Sequence, residues 1–136
     1  MIPTGEERPV AGTDFDFRAM RPVHRERDGS RVTYDHNFCV SRERMQYPGT
    51  IVRAAGARSG ITMEVSTTEP GVQFYDGYKI NVPVPGLDGT NYRSGAGFCL
   101  EPQVWPDAPN HADYPSAVLR PGETYRQITE YRFAKA

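Results

Sequence analysis

Apolar and polar residues alternate most clearly over residues 60–68, where Ile61, Met63 and Val65 share one side of an extended chain and Thr62, Glu64 and Ser66 the other. A period of two marks a strand with one buried face. Residues 31–34, 50–54, 71–75, 97–103 and 124–133 also read as strands. The breaks between them carry turn chemistry: Asp28-Gly29-Ser30, Pro48-Gly49, Pro85-Gly86 and Pro121-Gly122. No apolar stripe of helical period is sustained. The 13 glycines and 12 prolines are spread along the whole chain, and proline removes a backbone donor and blocks helix interiors. The expected architecture is all-β, a sandwich of antiparallel strands.

Length and charge narrow the picture. The 136 residues suit one domain, without internal repeats, low-complexity stretches or linkers. Sixteen basic against 17 acidic side chains leave a formal charge of -1, without the electrostatic footprint that nucleic-acid binding needs. No apolar run approaches the roughly 20 residues that span a bilayer, and residues 1–9 have no apolar signal-peptide core, so a cytoplasmic protein is expected. Two cysteines, Cys39 and Cys99, are too few for a disulfide scaffold or zinc cluster. Hydrophobic residues make up 38% of the chain and the mean hydropathy is -0.63, lean for a domain enclosing its own core. The charged run from His24 to Asp28 reads most simply as a solvated loop tip, with a basic binding patch as the lesser alternative.

Candidate chemistry is sparse. His24, His36 and His111 are scattered, no nucleophile elbow is present, and no glycine loop leads into a helix to cradle phosphate. Neither a metal nor a cofactor is expected. Three segments stand out. Tyr34-Asp35-His36-Asn37-Phe38-Cys39 sets a carboxylate, an imidazole and an amide between aromatics; taken alone it reads as a turn at a strand end, since Asp and Asn bond their own backbone. Gly71-Val72-Gln73-Phe74-Tyr75 is an apolar strand with Gln73 and Tyr75 on the face opposite Val72 and Phe74. In Gly97-Phe98-Cys99-Leu100-Glu101-Pro102-Gln103, Phe98 and Leu100 share one face, and Cys99, Glu101 and Gln103 the other. Glu101 either points to solvent or lines a pocket, where partial desolvation makes a carboxylate a useful general base. Trp105 either stacks on a sugar ring or, as lone tryptophans more commonly do, fills the core.

Residues 97–110 (GFCLEPQVWPDAPN), Tyr114-Pro115-Ser116 and Leu119-Arg120-Pro121-Gly122-Glu123-Thr124-Tyr125 resemble the C-terminal signature of the aldose 1-epimerases, the galactose mutarotases. Asp35-His36-Asn37-Phe38, Thr68-Glu69-Pro70-Gly71-Val72-Gln73-Phe74-Tyr75 and the opening Ile2-Pro3-Thr4-Gly5-Glu6 resemble further signatures of that family, in the same order. The resemblance implies part of a large antiparallel β-sandwich, the mutarotase supersandwich. It implies cofactor-free interconversion of the α and β anomers of free hexoses such as galactose and glucose. It also implies that Glu101 is the catalytic base, that Asp35 hydrogen-bonds sugar hydroxyls, and that Gln73 is a further substrate contact.

Two departures from the family pattern bear on this. Asp76 stands where a small hydroxyl residue is more usual, which is expected to alter the pocket rim. The family's general-acid histidine, its second active-site histidine and a sugar-binding arginine lie upstream of the motif at residues 2–6, where this chain begins. The expectation is therefore the C-terminal segment of an epimerase domain, residues 1–136, without the N-terminal part. Such a segment exposes sheet edges, and self-association or a partner carrying the N-terminal half is expected. Replacement of the acid by His36 is disfavoured because His36 points away from Asp35, whereas His111 is sterically free. A non-catalytic carbohydrate-binding or regulatory relative is the alternative, and a glycosidase pairing Asp35 with Glu101 a weaker third.

Overall fold

A computed structural model describes residues 3–135; Ile2 of the opening motif lies outside them. The described residues form a short hairpin and two three-stranded antiparallel sheets. In the hairpin, β1 (Glu26–Arg27) pairs with β2 (Ser30–Arg31) around Asp28 and Gly29, whose φ values of 51° and 73° suit the mirror-image turn that two-residue hairpins favour. One sheet has the order β3 (Asp35–Cys39), β6 (Gly71–Tyr75), β7 (Cys99–Gln103). The other has the order β4 (Gly49–Ala55), β5 (Ile61–Thr67), β8 (Thr129–Lys135). The described residues include no α-helix, and the short 3-10 turns Leu87–Gly89 and Ala108–Asn110 are the helical pieces. The all-β expectation is met.

Residues 68–70 join the two sheets between β5 and β6, and all three are buried. Most of their polar groups are partnered, with the buried Glu69 Oε2 left without a hydrogen bond among the described residues. The Pro70 carbonyl accepts from the Val40 amide at 2.9 Å, the Ser41 amide at 3.1 Å and the Trp105 indole Nε1 at 2.8 Å. Thr68 exchanges bonds with Ile128 in both directions, and Glu69, fully buried, accepts from Arg44 Nε at 2.9 Å through Oε1. A buried carboxylate is tolerable with such a partner, and Arg44 also lies over the Tyr125 ring. Trp105 is 2% exposed and packs edge-on against Tyr114, so it fills the core and does not present a stacking face to a ligand.

The back of the first sheet is aromatic. Phe15 and Phe17 from the N-terminal segment meet Tyr34, Phe38 and Phe74 in tilted, edge-on contacts with centroids 5.1–6.5 Å apart. Tyr34 is wholly buried, and its hydroxyl donates to the Asp14 carbonyl at 3.0 Å. Asp14, itself buried, pairs with Arg25 and Arg27. The run from His24 to Asp28 is thus an exposed hairpin that also clamps the N-terminal segment, more than a solvated tip.

Strand limits differ from expectation in instructive places. Residues 71–75 match β6, and residues 50–54 and 60–68 match β4 and β5 within a residue. Of residues 34–39, Asp35–Cys39 form β3 and not a turn, because their backbone pairs throughout with β6. Of the expected strand 31–34, Arg31 alone belongs to β2, since the Val32 amide turns back to the Arg25 carbonyl. The expected strand 124–133 begins at Thr129, where the chain first meets Thr67 of β5. β7 starts at Cys99, two residues later than expected, opposite Tyr75.

Candidate active site

Antiparallel register places directly opposed residues on the same face of a sheet. On the front of the first sheet this makes three rows across β3, β6 and β7: Asp35–Tyr75–Cys99, Asn37–Gln73–Glu101 and Cys39–Gly71–Gln103. On the back stand His36, Phe74 and Leu100, then Phe38, Val72 and Pro102. The alternation assigned to β6 and β7 from sequence holds, and the same period in β3 turns Asp35 and His36 to opposite faces. His36 packs against Phe15, with ring centroids 4.7 Å apart, on the aromatic side.

The front face forms the floor of an open cavity of about 360 Å³ lined by Asp35, Gln73, Tyr75, Lys79, Glu101, Gln103 and Pro106. That size is near the lower end of ligand pockets, which run roughly 300–1,000 Å³. All three residues singled out in the sequence lie on this lining. Gln73 is directly opposite Glu101, and its Nε2 donates to Asp35 Oδ1 at 2.9 Å along a diagonal of the sheet. Gln73 therefore orients Asp35, while the second Asp35 oxygen and the exposed Glu101 carboxylate face the cavity as acceptors.

Gly71 allows this face to close over its neighbours. A Cβ there would meet Asn37 Oδ1 at 2.8 Å and Trp105 Cδ1 at 2.9 Å. Asn37 shares the row of Gln73 and Glu101, and its buried Oδ1 has no hydrogen-bond partner among the described residues. Tyr75, Lys79, Gln103 and Pro106 were not named as site residues from sequence. For Tyr75 and Gln103 the signal was their parity with Gln73 and Glu101; for Lys79 and Pro106, in turns, strand periodicity is silent.

The remaining expectations resolve by position. Asp76 is not on the cavity lining: its buried carboxylate takes Arg31 at 3.0 Å on Oδ2 and the Tyr78 amide at 3.1 Å on Oδ1. The parity of β6 turns it inward, so the expected alteration of the rim is indirect. His111 stacks on Tyr114 at 4.3 Å and 17°, with Nε2 3.4 Å from Asp107 Oδ2, and is likewise absent from the lining. No group of three or more His, Cys, Asp or Glu side chains among the described residues is arranged to hold a metal ion. No described helix is long and apolar enough to cross a membrane.

The family profile for aldose 1-epimerase matches residues 1–132. The chain is 42% identical over 139 residues to the galactose mutarotase of Homo sapiens, taking in 100% of this chain and 40% of that protein. It is 35% identical over 143 residues to the aldose 1-epimerase of Escherichia coli (strain K12), taking in 97% of this chain and 40% of that protein. The crystal structure of a GalM/aldose epimerase homologue from C. elegans superposes with a TM-score of 0.82 at 27% identity, over 98% of this chain and 40% of that one. The chain thus spans 40% of the length of these relatives.

Proposed function

The chain belongs to the aldose 1-epimerase family, and from that premise we propose that residues 1–136 are the C-terminal segment of an epimerase domain acting on free hexoses such as galactose and glucose. The observation that carries the proposal is the convergence of Glu101, Gln73 and Asp35 on one cavity, with Gln73 bonded to Asp35 and opposite Glu101. Mutarotation needs one group to take the proton from the C1 hydroxyl and another to protonate the ring oxygen as the C1–O5 bond breaks. The aldehyde then turns about C1–C2, and the ring closes on the other face with both protons returned. Glu101 is the proton acceptor, an exposed carboxylate facing the cavity on a rigid central row. Asp35, held by Gln73, accepts from sugar hydroxyls and fixes the ring against the base.

The acid that protonates the ring oxygen comes from a part of the fold beyond these 136 residues. His36 on the aromatic face and His111 against Tyr114 both stand off the cavity lining, which favours this over substitution by either. The same absent part covers the apolar face of the second sheet, where Ile61 and Phe133 are 50% and 67% exposed. Polarimetry of freshly dissolved α-galactose tests the proposal, with the chain alone and with the upstream part of a relative supplied. Acceleration in the combined sample that falls on the order of 10²–10⁴-fold in Glu101→Gln, with sugar binding retained, is expected. Equal rates in the variant would remove Glu101 from the base role. Binding without turnover in both samples would favour the non-catalytic sugar-binding relative.

A further inference from the structure

Resting on the function proposed above, we infer that Lys79 is a further sugar-contacting residue that sets hexose preference, donating from its ammonium to one hydroxyl oxygen of the bound ring. Among the described residues that line the cavity, Lys79 is the one cation, set with two carboxylates, Asp35 and Glu101. A hexose brings hydroxyls that both donate and accept. The carboxylates satisfy their protons, and the hydroxyl oxygens need donors from the protein. Gln73 has already spent one N–H on Asp35. The ammonium offers three N–H donors that rotate to suit the ligand.

Lys79 is exposed, but the turn that carries it is fixed at several points. Its own amide donates to the Tyr75 hydroxyl at 3.1 Å, which leaves that hydroxyl's proton free for the cavity. The preceding Tyr78 amide is held by buried Asp76, which Arg31 holds in turn while its other terminal nitrogen bonds Ser94 Oγ at 2.8 Å. Gly77, at φ 71°, accepts from the amides of Ile80 and Gly95, and a Cβ on it would collide with the Gly97 carbonyl oxygen. The Lys79 ammonium lies 5.1 Å from the Tyr78 ring centroid. A hydrogen bond to the Tyr78 phenol, with a smaller contribution from the Asp35 charge, pushes that ammonium above the ordinary lysine range and leaves its other N–H groups for a ligand. Asp76, where this chain leaves the motif it otherwise follows, thus acts on the cavity through the placement of Lys79.

The test is titration of the 136-residue chain, with the upstream part of a relative supplied, with galactose, glucose and the monodeoxygalactoses, followed by NMR, for the unaltered chain, Lys79→Met, Lys79→Arg and Asp35→Asn. Lys79→Met is expected to weaken galactose binding roughly tenfold, as loss of one charge-assisted hydrogen bond does. Lys79→Arg should restore most of the affinity. The loss should vanish for the one deoxy sugar that lacks the contacted hydroxyl. Circular dichroism identical to the unaltered chain is expected for an exposed substitution. Equal affinity in Lys79→Met, with binding still weakened by Asp35→Asn, would overturn the role of Lys79 and leave the proposed function standing. No hexose binding by the folded unaltered chain with the upstream part of a relative supplied would overturn both.

Discussion

At the scale of the residue, charge and parity decide most of what each side chain does. Glu101, Gln73 and Asp35 face one cavity because each sits at the right phase of a period of two in its own strand, which puts His36 beyond reach. Elsewhere, charged residues make local pairs whose effect is legible in pH. The Arg18 fork beside Asp16, bonding at 2.9 and 2.7 Å, holds that carboxyl well below its ordinary value of 3.8. A folded-state pKa below the unfolded one stabilises the fold above pH 3.8, and the benefit is lost as pH falls through the folded value. Comparing urea midpoints of the chain and Arg18→Gln should therefore show a small difference at pH 7 that shrinks below about pH 4. A difference constant with pH would mean that Arg18 acts through packing alone. The pair is solvent-exposed, so salt should reduce the difference as well.

At the scale of the element, the ladder partner decides where a strand starts and ends. Residues 71–75 were legible because their alternation is strong and their neighbours on both sides are strands. Asp35–Cys39 was not, because Asp and Asn carry the local signature of a turn, and pairing with β6 outweighs it. Residues 124–128 have strand-like composition but find no ladder; Tyr125 and Gln127 spend their polar groups on Glu69 and on the Pro102 carbonyl. The buried corner at residues 68–70 sets how β5 leads into β6 and so how the candidate site meets the second sheet. Trp105→Phe removes one of three donors to the Pro70 carbonyl while keeping an aromatic ring in the core. A loss of about 1 kcal/mol in unfolding free energy is expected from denaturant titration, since the carbonyl keeps two donors. A loss several times larger would show that packing of the indole, more than its N–H, holds the corner.

At the scale of the molecule, burial is uneven. Val65 is fully buried at one end of β5 while Ile61, on the same face, is 50% exposed at the other, and Tyr131 and Phe133 of β8 follow the same gradient at 46% and 67%. A continuous apolar stripe left open on an antiparallel sheet invites association. Analytical ultracentrifugation of the chain alone is expected to show self-association that rises with concentration. Phe133→Lys should reduce it, as should adding the upstream part of a relative. A chain that stays monomeric at high concentration would contradict the proposal that another part of the fold covers this face.

The sequence by itself determined the strand-rich class, most turn positions and the shared face of Gln73 and Tyr75 and of Glu101 and Gln103, because these follow from the period of two and from glycine and proline stereochemistry. Its resemblance to the aldose 1-epimerases named Glu101, Asp35 and Gln73. Tertiary structure alone decided that β3 is a strand, that the three residues share one cavity, that Arg31 arrives to pair with Asp76, and that Lys79 reaches the rim. Each of those depends on distant partners or on a turn held by them: Gln73 is 38 residues from Asp35, and Arg31 is 45 from Asp76. Local periodicity carries no information about which distant backbone or guanidinium will arrive to complete such a bond.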